Sequence, residues 1–132
     1  MKQYRSHAHT ISSCKYRFVW CRKYRHPVLN MVEDDVRELF SETADHFSHE
    51  ILALEIADDH VHLFVQTDPK YSPADIARQF KSYSGKHLLE RYPETREAYF
   101  WGGGFWKAGY YVGTTGAVSE EVVERYFEET EH

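Results

Sequence analysis

The period at which apolar residues recur switches repeatedly along this 132-residue chain, and that switching is what most restricts its fold. From Cys14 to Cys21, Tyr16, Phe18 and Trp20 alternate with Lys15, Arg17 and Val19, the period of two that sends successive side chains to opposite faces of a strand. Beyond Pro27 the period lengthens: Val32, Val36, Leu39, Phe40 and Phe47 share one stripe, with Glu33, Asp34, Glu38, Glu42 and Asp45 largely elsewhere, as in an amphipathic helix. Two strand-like runs, Ile51 to Ala57 and His60 to Gln66, flank Asp58-Asp59, which reads as a hairpin turn. Ser72-Pro73 supplies a cap and a first-turn proline for a helix through Glu90, with Ile76, Phe80, Tyr83 and Leu88 inward and Arg78, Ser82 and Lys86 opposite. Tyr92-Pro93 ends it. An aromatic strand is expected from Phe105 to about Val112, a break at Gly113 to Gly116, and a last helix opened by Ser119, Glu120 and Glu121.

The resulting order, βαββαβ plus one helix, predicts an α+β protein. Its natural solution is a ferredoxin-like, RRM-like sandwich with two helices on one sheet face and the other face open. The length corresponds to one domain over residues 1–132, divided into a core at 1–116 and a terminal helix at 117–132. Aromatics at 16% and apolar residues at 42% exclude a chain that is mainly disordered. Neither a membrane-spanning run nor an apolar leader is visible, so a cytoplasmic protein is expected. Cys14 and Cys21 lie an odd number of residues apart in one strand, so they face apart and cannot be bridged.

A net charge of −5 argues against a polyanionic partner until its distribution is considered. Residues 1–30 hold seven of the sixteen basic side chains and none of the acids; Lys70 to Arg91 forms a second basic stretch. Arg22, Lys23 and Arg25 in the first zone, and Arg78, Lys81 and Lys86 in the second, are candidate phosphate contacts.

His60-Val61-His62 is the first chemical motif. Residues i and i+2 of a strand share a face, so two imidazoles stand side by side while Val61, Leu63 and Val65 point to the core. Such a pair can hold a divalent metal, although nine histidines in the chain make a chance His-x-His common. His26, His46, His49 and His87 read as satisfied or surface side chains. Tyr126 lies on the last helix with Glu129 and Thr130 one turn on, placing a phenol and oxygen donors on one side.

Taken together these blocks resemble the transposases of the insertion-sequence 200/605 group, single-strand DNA transposases with a His-hydrophobic-His pair and one catalytic tyrosine. The resemblance runs through Phe18 to Leu29, Asp59-His60-Val61-His62-Leu63, Gln79-Phe80-Lys81-Ser82, Phe105 to Tyr111 and Gly116 to Tyr126, nearly the whole chain. It implies a ferredoxin-like fold, a homodimer joined through its sheets with composite active sites, and recognition of imperfect hairpins in single-stranded DNA. It also implies Tyr126 as nucleophile, His60 and His62 as ligands of Mg²⁺ or Mn²⁺, a 5′-phosphotyrosine intermediate that needs no ATP, and a flexible joint at Gly113 and Gly116. Two departures stand out: Asp58 replaces a proline, and Thr130 replaces a glutamine four residues after the tyrosine. A threonine hydroxyl is a weaker, shorter-reaching donor than an amide oxygen, so Glu129 competes with Thr130 as third ligand. A domesticated relative, a replication or conjugation nickase, a non-catalytic single-strand binder and a small zinc or manganese hydrolase are the other readings the motifs allow.

Overall fold

The structure is a computed structural model that describes residues 5–7, 10–22, 32–92 and 104–114. The elements run β1 (Arg5–His7), β2 (Thr10–Ser12), β3 (Cys14–Cys21), α1 (Glu33–Phe47), β4 (Glu50–Ile56), β5 (His60–Thr67), α2 (Pro73–Arg91) and β6 (Tyr111–Gly113). β1 and β2 pair as a small antiparallel hairpin that the polar N-terminal sequence did not announce. The other strands form one antiparallel sheet in the order β4-β5-β3-β6, and the elements from β3 to β6 supply the expected βαββαβ core. This order puts β5 and β3 in the middle, so the strand carrying His60 and His62 is supported on both sides.

Period two decides what each face of the sheet does. β5 alternates half-buried and buried along its length, with Val61, Leu63 and Val65 toward the helices and His60, His62 and Phe64 away. The covered face is aromatic: Phe18, Trp20, Phe40 and Phe80 are fully buried, and the Phe40 ring lies 5.2 Å from Phe80 and 5.8 Å from Trp20 between centroids. Burying a large apolar side chain contributes about 1.5–3 kcal/mol, so these few rings dominate the core.

α2 starts where Ser72 accepts from the Asp75 backbone N–H while the Asp75 carboxylate accepts from the Ser72 N–H, both at 3.0 Å. α1 has no side-chain cap at Val32 and relies on Glu33, Asp34 and Asp35 against its positive end. Ser48 closes it in the left-handed region, at a φ of 64°. The helices are pinned together at one end, where Arg91 donates to Asp35 at 2.6 Å and to Glu38 at 2.8 Å. The Tyr92 hydroxyl also donates to Asp35, and this bond, with Arg91, holds that carboxyl below its usual pKa.

Two expectations need correction. Tyr83 does not face the core: it is exposed and donates to Glu42 at 2.6 Å, while Ser84, one residue on, is the buried one. The strand expected from Phe105 to about Val112 is reduced to Tyr111–Gly113, with a single bridge at Trp106. The reason is local: Gly109 takes a φ of 89°, which interrupts an extended run, and the Trp106 indole N–H donates sideways to Ser84 at 2.8 Å. The segment is therefore held by side-chain anchors rather than by a ladder. Cys14 and Cys21 are both free thiols, as their spacing required. The terminal helix expected at 117–132 lies outside the described residues. Among the described residues no helix is long and apolar enough to cross a membrane.

Candidate active site on the open face of the sheet

The two histidines sit where the hairpin enters the central strand. Their ring centroids are 5.0 Å apart at an interplanar angle of 67°. His60 Nδ1 lies 2.9 Å from an Asp59 carboxylate oxygen, and an Nδ1–H donating there fixes the ring's orientation. Asp59 is fixed in turn through its backbone, whose carbonyl accepts from the Arg22 N–H at 3.0 Å. The turn that the sequence supplied for hairpin geometry thus also orients His60.

His62 is held neutral. Burial pushes its pKa below the usual histidine value, His60 and Arg17 push in the same direction, and Glu55, its cross-strand partner on β4, opposes them. A metal ligand must be a neutral imidazole, and this environment favours that form of His62. The donor set fits a borderline divalent cation such as Mn²⁺, or Mg²⁺ with waters and substrate oxygens completing its sphere. Among the described residues no group of three or more His, Cys, Asp or Glu side chains converges on one point.

The structure separates the candidate DNA contacts into kinds. Arg78 and Lys86 lie on the exposed side of α2, beside a groove of about 660 Å³ between the helices, on the face opposite the histidines. Arg78 pairs with Asp75 at 2.8 Å. Lys81 is different: its ammonium donates to the Lys107 carbonyl at 2.8 Å and the Gly109 carbonyl at 3.0 Å, and burial lowers its pKa to about 8. It fastens α2 to the segment leading into β6. Arg22 is buried against Phe105, its guanidinium carbon 5.3 Å from the ring centroid. Gly113 is the last ladder residue of β6, opposite Arg17, so a joint at this point begins beyond it. Lys23, Arg25, Gly116, Tyr126, Glu129 and Thr130 lie outside the described residues.

Sequence reasoning passed over Arg17, Glu55 and Phe64 on the same open face. The register was the missing signal, because only strand pairing shows that Arg17 faces Phe64 and that Glu55 faces His62. Of the histidines read as satisfied or surface side chains, His49 is buried and satisfied: its ring lies between Gln79 at 2.6 Å and Thr67 at 2.7 Å.

A ferredoxin-like sheet with two histidines side by side on a central strand, on the face that no described helix covers, defines a class of compact α+β proteins. Within that class the chain belongs to the IS200-like transposases, whose family model matches residues 10–130. Over 115 residues it is 30% identical to the ISDra2 transposase TnpA of Deinococcus radiodurans, covering 86% of this chain and 81% of that protein. The transposase for insertion sequence element IS200 of Salmonella typhimurium is 30% identical over 113 residues, covering 85% of this chain and 74% of the relative. Among solved structures, one described as a "putative transposase" from Deinococcus radiodurans superimposes with a TM-score of 0.81 at 27% identity, covering 98% of both chains. A REP-associated tyrosine transposase bound to a REP hairpin shares the fold alone, with a TM-score of 0.60 at 14% identity over 98% of this chain and 68% of that one. The family makes the chain a DNA strand-transferring enzyme.

Proposed function

We propose that the chain cuts and rejoins single-stranded DNA at the hairpin-marked ends of a mobile element. The observation that supports this most directly is the histidine pair side by side on a central strand, with His60 oriented by Asp59 and the His62 pKa lowered by burial. In this reading the Tyr126 phenolate attacks the scissile phosphorus in line, forming a 5′-phosphotyrosine and releasing a 3′-hydroxyl. That linkage keeps the phosphodiester free energy, so a second 3′-hydroxyl reverses the step with a new partner and no ATP is used. His60 and His62 would hold Mg²⁺ or Mn²⁺, with Glu129 or Thr130 as third ligand. The ion supplies electrophilic activation of the phosphate when bound.

The remaining proposals divide by location. Arg78 and Lys86, with Lys23 and Arg25, are available to a folded hairpin. Arg22 and Lys81 contribute by holding the segment between β3 and β6 in place. A homodimer would let the tyrosine of one copy reach the histidines of the other, and Gly116 would give the joint its freedom.

The experiment is denaturing electrophoresis of the protein with a hairpin-bearing single strand labelled 3′ of the cut. A labelled covalent adduct is expected with Mg²⁺ or Mn²⁺ and disappears in EDTA and in Tyr126→Phe, which still binds the DNA. An adduct that survives Tyr126→Phe, or full cleavage in EDTA, overturns the reading.

A further inference from the structure

The open face carries a second chemical feature beside the histidines. β3 presents Lys15 and then Arg17 on that face, followed by Val19, the direct partner of His62. Arg17 lies over the ring of its own cross-strand partner, Phe64, with its guanidinium carbon 3.8 Å from the centroid. Arg17 shares a concavity of about 190 Å³ with Phe64, Glu55 and His62.

Among the described residues, Arg17 is distinguished by having no carboxylate acceptor. Arg37, Arg78 and Arg91 each donate to a carboxylate. Arg17 makes no such bond among the described residues, and its Nε is out of contact with solvent and without a hydrogen-bond partner. A guanidinium offers five N–H donors in a planar fork matched to phosphate, and stacking on an aromatic ring fixes the fork without consuming a donor. Among the described residues, Arg17 is thus an oriented fork with no anion paired to it. Lys15, exposed and two residues earlier on the same face, lies about 6.7 Å further along the strand. That step matches one extended nucleotide. Glu55 and Glu50, on edge strand β4, face the same side and bound the basic row with negative charge, which keeps a polyanion over β3.

We propose that Arg17 binds the phosphodiester next to the one held at the histidine pair, with Lys15 taking the phosphate beyond it, so that β3 is the track that registers the single strand for cleavage. This rests on the reading of the histidine face as the cleavage site, but its first test does not need cleavage.

Binding of a labelled unstructured single strand is followed by fluorescence anisotropy in EDTA over a range of salt concentrations. Arg17→Met should weaken binding on the order of tenfold and lower the log-log salt slope by about 0.7, one phosphate contact on a single strand. Arg37→Met, which removes a charge from α1, should leave the slope unchanged. An unaltered slope in folded Arg17→Met overturns the proposal and makes Arg17 a packing residue on Phe64. If Arg17→Met does not fold, Phe64→Leu serves instead: it keeps the charge and removes the ring, so the slope should hold while affinity falls, and unchanged affinity overturns the proposal. With saturating DNA and metal, Arg17→Lys should form the adduct more slowly than the parent because a point charge cannot replace the fork; equal rates overturn the registering role. Absence of any adduct in the parent would sink the cleavage reading and leave the anisotropy result to decide Arg17.

Discussion

The two faces of the sheet are built from alternate residues of the same strands, yet they obey different rules. On the helix side, Phe18, Trp20, Val61, Leu63 and Val65 are buried with Phe40 and Phe80 in an aromatic and aliphatic core. On the other side, one residue away in each case, stand Arg17, His60, His62 and Phe64. Here polar side chains are half-buried, close together and oriented by one another. The difference teaches that fold stability and chemistry are separable at single-residue resolution in a strand, because the pleat sends neighbours to opposite environments.

The sharpest way to break this comparison is to remove one imidazole. His60→Ala or His62→Ala should abolish metal-dependent cleavage while leaving the thermal midpoint within a few degrees of the parent, by adduct assay and calorimetry respectively. A large loss of stability in either variant would show that the two faces are not separable. The opposite substitution, Phe40→Ala, removes a ring stacked among Trp20, Phe80 and Trp106 and should cost about 3–5 kcal/mol in denaturant unfolding. The protein that remains folded should bind Mn²⁺ as before.

Smaller effects sharpen the boundary. Asp59→Asn keeps the turn but weakens the acceptor that fixes His60, and calorimetric titration should show Mn²⁺ affinity lower by about 10–100-fold. A pH-dependent effect belongs to Lys81, whose pKa falls from 10.5 to about 8 on folding. Between those values the unfolded chain holds the proton that the folded chain has released, so this group makes stability rise with pH across that window. Lys81→Met should remove that rise in denaturant unfolding followed at a series of pH values. A slope unchanged in the variant would mean that another group sets it. His62 has the same sign at lower pH: its depressed pKa gives stability that is complete above the ordinary histidine value and is lost as pH falls toward its own.

Much of this protein was legible without coordinates. Strand β3 coincides with the alternating run Cys14 to Cys21, α2 begins at the Ser72-Pro73 signal, and the hairpin turns at Asp58-Asp59, because each rests on local periodicity or local capping. The pairing of His60 with His62 was equally local, since i and i+2 of a strand share a face whatever surrounds them. Tyr83 was misplaced because Tyr83 and Ser84 straddle the edge of the helix stripe, where one residue of rotation decides burial. The run from Phe105 misled because its aromatics are β-formers by composition, while Gly109 and the anchors from Ser84 and Lys81 impose an irregular path. The partners of the histidines could not be read at all. That Glu55 faces His62, that Arg17 rests on Phe64, and that Lys81 is tied to the Lys107 and Gly109 carbonyls depend on strand register and on loops returning from tens of residues away. The sequence by itself determined which side chains share a face, through the fixed geometry of a strand or a helix; only the tertiary structure decided which faces meet, because that is set by long-range packing no local pattern encodes.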